Sequence, residues 1–495
     1  MSLTILLGFT LCMAFIFIYS LVQLNLVANY RRGRKQKKLI PAPPSSWPLV
    51  TVQLPVYNEL YVIEELIDAV CKFDYPKDKL EIQVLDDSTD KTVQLIADKA
   101  IHYQALGFDI QHIRRPDRVG YKAGALKYGT DICKGEFIAI FDADFKPSSQ
   151  FLKDTLPHFN QPNIGVVQSK WGYTNPNYSF LTKLQEFGLN AHFSIEQVGR
   201  NIKDHFINFN GTAGVWRKAC INDAGGWESD TLTEDLDLSY RAQLKDWKFT
   251  YLEDVISPSE LPIEINSLKA QQYRWTKGAA ECFSKNFVRV WKSKNIKSST
   301  KIHALFHLMN SSVFLMIFAM GLLSLPVIYA KNALGGHIII QISSVFMLSW
   351  VILGLFYYTS FKRNSNKNFG SFIINFVCFL AVSMGLSLHN AVAVMEGYIG
   401  RKTPFVRTPK FNVIEGSDDW KTNIYTTKKL SPITYIEGLM ILYFLFAFRV
   451  AIIYSDYAMI PFLLFLIFGY SFVFFSSFIH LNKTVKKKVT YEKMA

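Results

Sequence analysis

Two aspartates separated by one alanine close the stretch EFIAIFDADF at residues 136–145, and two further carboxylates, Glu234 and Asp235, sit within LTEDLDL at 232–238. Carboxylates are hard oxygen ligands, so Asp142 and Asp144 on one tight turn are suited to hold Mg²⁺ or Mn²⁺ shared with the phosphates of a nucleotide. A metal held there offsets charge developing on a leaving diphosphate. Taken alone, the aspartates equally fit an Asx-type turn after a strand, and Glu234 and Asp235 equally fit a helix N-terminus whose dipole favours carboxylates. Between the two clusters lies FNGTAGVWR, 209–217, whose glycines let backbone approach a ligand closely. After them comes QQYRW, 271–275, joining a fork-shaped cation that can grip phosphate to an indole that either stacks on a sugar ring or packs in a core.

These groups need a scaffold, and from 49 to 145 the sequence alternates apolar runs with helical periodicity: LVTVQLPV, a helical stretch 59–72, EIQVLDD, a helical stretch 90–105, FDIQHI, KAGALKYG, then EFIAIFDAD. Such alternation predicts an α/β domain built on a mostly parallel, doubly wound sheet covered on both faces. Ligands of such sheets gather at the carboxyl ends of strands. Tyr57, Asn58 and Glu59 follow the first strand, Asp86 and Asp87 the second, Asp142 and Asp144 a later one. No G-x-G-x-x-G follows the first strand and no G-x-x-x-x-G-K-[ST] occurs, which removes most support for a dinucleotide oxidoreductase or a P-loop nucleotidase.

Around this domain the composition changes. Residues 1–28 carry no Lys, Arg, Asp or Glu, and 303–480 return to Phe/Leu/Ile-rich runs broken by short basic loops. A hydrocarbon core of about 30 Å takes about 20 apolar residues, so spans are expected at the N-terminus and at 303–330, 337–360, 434–454 and 458–480. The N-terminal run reads as a retained anchor rather than a cleaved signal. RRGRKQKK, 31–38, reads as a positive-inside signal rather than a nucleic-acid patch, which places the α/β domain in the cytosol of a multi-pass membrane protein. The formal charge of +14 also suits a polyanionic or nucleotide ligand. Six scattered cysteines without a C-x-x-C pair argue against a disulfide framework or a zinc site. The expected organisation is an N-terminal membrane helix (1–30), a basic linker (31–47), the α/β domain (48–300), a membrane hairpin (301–360), an interface helix and loop (361–433), a second hairpin (434–482) and a basic tail (483–495).

IQVLDDSTD, GYKAGALK, IAIFDADF, FNGTAGVWR, AGGW, TEDLDL and QQYRW, in that order, resemble the membrane-bound processive inverting β-glycosyltransferases of family 2, the cellulose and hyaluronan synthase group. The resemblance runs through about residues 48–290 and is strongest to plant cellulose synthase-like A mannan and glucomannan synthases. It implies a GT-A-type domain and a hexosyltransferase that uses UDP-glucose or GDP-mannose with Mg²⁺ or Mn²⁺. The implied product is a β-linked chain, exported through the enzyme's own helices. By the same resemblance Asp144 binds the metal, and Asp142 the metal and nucleotide together. Tyr57, Glu59, Asp86 and Asp87 hold the nucleoside, and Lys122 the diphosphate. Asp235 is the general base with Glu234 beside it, while Gln271, Arg274 and Trp275, with Asn210, Gly211 and Thr212, face diphosphate and acceptor. Inversion needs only one base and no covalent intermediate.

Two positions depart from the family pattern. Tyr273 stands where the plant enzymes usually carry His. FVRTPK, 405–410, matches a gating loop of the form F-x-V-T-x-K at Phe405, Thr408 and Lys410, but Arg407 replaces the apolar residue. This extra cation either grips the donor diphosphate or belongs to a basic connector. The partners implied are a nucleotide sugar, a growing polysaccharide and the bilayer, with no nucleic acid. The competing function is transfer of one sugar to a membrane lipid. Residues 371–395 are apolar enough to cross, yet both flanks are basic. They are therefore expected along the cytosolic interface, as one helix turning Ser383, Ser387, His389 and Asn390 toward protein or water.

Overall fold

The computed structural model describes residues 1–34, 41–335, 337–413, 424–425 and 430–492, with side chains through Ile479. Expectations for 35–38, for the side chains of the 486–488 lysines and for 493–495 lie outside the described residues. Among the described residues, seven strands form one mixed sheet: β1 (Val50–Val56), β2 (Leu80–Asp86), β3 (Asp109–Ile113), β4 (Phe137–Ile140), β5 (Ile164–Tyr173), β6 (Gly214–Arg217) and β7 (Lys248–Ser259). Their order across the sheet is β3-β2-β1-β4-β6-β5-β7. Strands β1 to β4 are parallel to one another, as the alternation predicts, and β5 is parallel to β7. β6 runs antiparallel to both β4 and β5, which local periodicity does not reveal.

The apolar runs of β1, β2 and β4 are buried on both faces because helices cover the sheet on each side. Register then decides where the polar residues emerge. Val56 pairs with Asp86, and Gln53 with Ile140, so β1, β2 and β4 all end at one edge of the sheet. Tyr57, Asp87 and Asp142 leave the sheet there together.

Among the described residues, five helices are each long and apolar enough to cross a membrane: Ser2–Gly33, Ser312–Leu334, Ile338–Asn364, Pro432–Ile453 and Tyr457–Ile479. The span expected to start at 303 starts instead at Ser312. His303 and His307 lie on a separate helix, Ser298–Leu308, packed on the α/β domain: His307 Nδ1 is 2.9 Å from the Tyr240 hydroxyl, and His303 stacks on His205 at 4.1 Å. The segment expected as one helix at 371–395 is two, Phe369–Gly385 and Ser387–Ile399, bent by 53°. Packing explains the break. At Gly385 the first half meets backbone of the Tyr457–Ile479 span, where a Cβ would stand 2.2 Å from Gly469; at Gly397 the second half lies on the QQYRW helix, where a Cβ would stand 2.7 Å from the Lys277 carbonyl. Ser387, His389 and Asn390 are buried at this junction.

Candidate active site

Each expected carboxylate at the sheet edge carries a basic partner. Asp86, buried at the end of β2, accepts from the Ser88 N–H at 2.8 Å and lies 2.8 Å from His112 Nε2. Burial acts to raise its pKa, but His112 and Ser88 outweigh it and hold the carboxyl below the usual range. Asp87 takes a two-pronged contact from Arg115, at 3.0 and 2.5 Å. The Arg118 guanidinium sits 3.3 Å above the Tyr57 ring, so a flat cationic face already covers that ring. Glu59 is gripped by Arg407.

Asp142 and Asp144 share the turn after β4 and diverge in their contacts. The Asp142 N–H donates to Thr212 Oγ1 at 2.9 Å, and its Oδ1 accepts from Lys122 Nζ at 2.5 Å. The same ammonium donates to the Gly211 carbonyl at 2.8 Å, so the FNGTAGVWR loop and the aspartate turn are joined through one lysine. Asp144 Oδ2 accepts from Lys410 Nζ at 2.7 Å and from the Glu260 N–H at 3.2 Å. Both carboxylates thus hold a cation through oxygen, and this all-oxygen donor set on a tight turn fits a divalent ion of the Mg²⁺ or Mn²⁺ type. Among the described residues the trio Glu228, Asp230 and Asp237 clusters within 4.8 Å, and Lys285 Nζ bonds all three at 2.6, 2.7 and 3.0 Å. Arg241 also lies 2.8 Å from Asp237 and 3.7 Å from Glu228, so two cations already crowd this trio.

TEDLDL divides by role once folded. The helix Glu234–Gln243 begins at its acidic pair, and Thr233 makes no side-chain cap. Asp237 is the structural acid, bonded to Arg241 Nε at 2.8 Å and Asn286 Nδ2 at 3.0 Å. Asp235 instead faces the site, and burial, with Glu234 adding its charge, pushes its carboxyl up to about 7. Burial likewise raises Glu234, against the pull of Lys122. Gly211, at φ +79°, runs beside Asp235: a Cβ there would meet Asp235 Oδ2 at 3.1 Å. Glycine is needed twice over at that point. Asn210 accepts from Gln197 Nε2 at 3.0 Å while its own Nδ2 has no partner.

The QQYRW residues lie on one helix, Ile265–Lys292, and point two ways. Arg274 turns toward the loop of Phe405, Thr408 and Lys410, donating to Thr408 Oγ1 at 2.8 Å and lying 4.7 Å from the Phe405 ring centre, which stacks on Tyr121. Gln271 and Trp275 turn the other way, with Asp235, into a cavity of about 900 Å³. Trp171 and Phe193 add aromatic faces beside Trp275. The cavity continues between the membrane helices, following Ser312–Leu334 from Val313 to Lys331, which at 1.5 Å per residue is roughly 27 Å. That is close to the thickness of a hydrocarbon core.

The structure therefore brings together Tyr57, Glu59, Asp86, Asp87, Lys122, Asp142, Asp144, Arg274 and the 405–410 loop on one side, and Asp235, Asn210, Gln271 and Trp275 on the other. Sequence reading passed over Arg115, Arg118, Trp171 and Glu260. The basic run in HIRRPDRVG was the signal available for the two arginines.

Residues 51–222 match the Glycosyl transferase family 2 model and residues 137–382 the Glycosyl transferase family group 2 model. Among curated proteins, Glucomannan 4-beta-mannosyltransferase 2 of Arabidopsis thaliana is 42% identical over 267 residues, covering 53% of this chain and 50% of that protein. Probable glucomannan 4-beta-mannosyltransferase 11 of Oryza sativa subsp. japonica is 44% identical over 263 residues, covering 52% and 46%. The chain spans about half the length of these curated relatives. Among solved structures, the mannosyltransferase PcManGT of Pyrobaculum calidifontis, in complex with GDP-Man and Mn²⁺, superposes with a TM-score of 0.53 at 19% identity over 78% of this chain and 100% of that one. The shared fold is the GT-A type.

Proposed function

Because it belongs to the family 2 glycosyltransferases, with family models running from 51 to 382, we propose that this chain polymerises a β-1,4-linked mannan or glucomannan from GDP-mannose or UDP-glucose and exports it through its own membrane helices. The observation that carries the reading is the continuity of the cavity: it begins at Asp235 and Trp275 and ends near Lys331, at the other end of a membrane-length helix. The names of the glucomannan mannosyltransferase relatives, and the GDP-Man and Mn²⁺ held by PcManGT, support the choice of sugar, donor and ion.

In this reading the nucleoside lies along the sheet edge between Tyr57, Glu59, Asp86 and Asp87. Lys122 and Arg274 face the diphosphate, and Asp142 and Asp144 hold the divalent ion, which when bound supplies positive charge against the leaving phosphates. The acceptor's terminal sugar rests on Trp275 and Trp171, with Gln271 and Asn210 offering hydrogen bonds. Asp235 removes the proton from the acceptor hydroxyl as that oxygen bonds to the anomeric carbon. The bond from that carbon to the phosphate oxygen breaks on the opposite face, and the nucleoside diphosphate leaves with the electron pair, inverting the configuration. The half-buried Asp235 carboxyl, pushed up to about 7 by desolvation and by the neighbouring Glu234 charge, is matched to that task.

The test is purified protein in sealed vesicles of one orientation, supplied with radiolabelled GDP-mannose or UDP-glucose. The reading expects a long polymer, degraded by β-1,4-mannanase, on the side opposite the donor. A single sugar on an organic-extractable lipid would overturn it.

A further inference from the structure

We propose that Glu260 is a positioning residue for transfer, the clamp that fixes the 405–410 loop against the metal-binding turn; this rests on the reading of the site given above. Glu260 follows β7, is 7% exposed, and faces the loop with one group and the turn with another. Its carboxylate accepts three successive backbone amides: Phe411 N–H and Asn412 N–H on Oε2, each at 3.0 Å, and Val413 N–H on Oε1 at 3.3 Å. Three consecutive amides converge on one anion because Asn412 adopts φ +50°, a left-handed turn that forms an anion-binding nest. Meanwhile the Glu260 N–H donates to Asp144 Oδ2, the oxygen that also takes Lys410 Nζ.

One residue therefore grips the loop just after Lys410 and the carboxylate that Lys410 reaches. Its own anchorage is firm: Asn175 brackets the next residue, Leu261, through both its amide atoms at 2.9 Å, and Phe411 and Val413 pack on Ile263. The site demands an acceptor with no protons of its own. Glutamate supplies two oxygens, whereas glutamine would turn an NH₂ toward an amide donor. A loop tethered this way reaches the donor site with its ordering already done, the general route by which preorganisation raises affinity and rate. Nothing in local sequence marks Glu260, because the residues it holds are some 150 positions away.

Hydrogen–deuterium exchange on the purified protein, without donor, reads the clamp directly. In Glu260→Gln the peptide containing 411–413 should exchange at least tenfold faster than in the wild type, and in Glu260→Asp, which keeps the carboxylate, less so. β7 and the helix Ile265–Lys292 should keep their protection in both. With donor added, Glu260→Gln should raise KM for the nucleotide sugar about tenfold while kcat at saturating donor falls less, and adding Lys410→Ala should produce little further change, since the two act through one contact. Unchanged exchange at 411–413 in Glu260→Gln would overturn the clamp, as would loss of protection spreading through β7 in both variants, which would make Glu260 a packing residue. Absence of polymer from every form, with exchange as expected, would instead count against the assigned activity and leave the clamp standing.

Discussion

Arg407 and Glu59 meet as fork and carboxylate, with Nε 2.6 Å from Oε1 and Nη2 on Oε2, across 348 positions of sequence. The residue that departs from the gating-loop pattern thus lies on the residue expected to hold the nucleoside. Both side chains are largely buried, at 14% and 12% exposure. Removing one partner of such a pair leaves the other charge uncompensated, whereas removing both is mild. Arg407→Ala should therefore destabilise the protein by on the order of 2 kcal/mol, and Glu59→Gln combined with Arg407→Ala should restore most of that loss. Thermal unfolding in detergent checks both; equal destabilisation in the single and double variants would break the argument.

Asp235 is the proposed base. Asp235→Asn should leave donor binding near the wild-type value and cut transfer by on the order of 10²–10⁴. The pH dependence follows from the raised carboxyl: below about 7 Asp235 is protonated and cannot accept, above it the carboxylate is present. Transfer at saturating donor and metal should rise through neutrality to an alkaline plateau. A profile flat between about pH 5.5 and 8.5 would exclude Asp235 as the group that titrates.

The proposed function assigns metal dependence to the turn after β4. Asp144→Ala should abolish Mn²⁺- or Mg²⁺-dependent donor binding, since a diphosphate lacking its cation meets Asp142 as a like charge. Titration of nucleotide diphosphate with and without Mn²⁺, read by calorimetry, distinguishes the variant from wild type. Full wild-type turnover in excess chelator would refute the role.

Trp275 faces the cavity beside Trp171, with ring centres 6.4 Å apart. Trp275→Ala should shorten or abolish polymer while donor affinity stays within about twofold, because the indole lines the cavity proposed to take the acceptor. Product sizing by gel filtration reports the effect; wild-type chain length would make Trp275 a core residue.

Topology is open to single cysteines at positions 333 and 412 in a cysteine-free background. Position 333, at the end of Ser312–Leu334 where Lys331 pairs with Asp456, should react with an impermeant thiol reagent from outside. Position 412, held by Glu260 beside the turn of Asp144, should react only after permeabilisation. External labelling at 412 would remove the loop from a cytosolic active site.

By itself the sequence determined what depends on neighbours in the chain. Apolar runs alternating with helical periodicity specify strands buried on both faces, and those strands carry their polar residues to the sheet edge, so Tyr57, Asp86, Asp87, Asp142 and Asp144 were legible as one site from β1, β2 and β4 alone. Runs of apolar residues specify membrane-length helices for the same local reason, the cost of exposing backbone and side chains to the wrong solvent. Only the tertiary structure decided what depends on residues far apart. It split TEDLDL into Asp235, which faces the cavity, and Asp237, which Lys285 and Asn286 of a distant helix hold together with Arg241 one turn on. It turned β6 against its neighbours, broke the 369–399 segment where Gly385 meets Gly469, and set Arg407 on Glu59 and Lys410 on Asp144. Such contacts are chosen by the close packing of whole elements and by the need of each buried charge for a partner, and neither is written into any short stretch of residues.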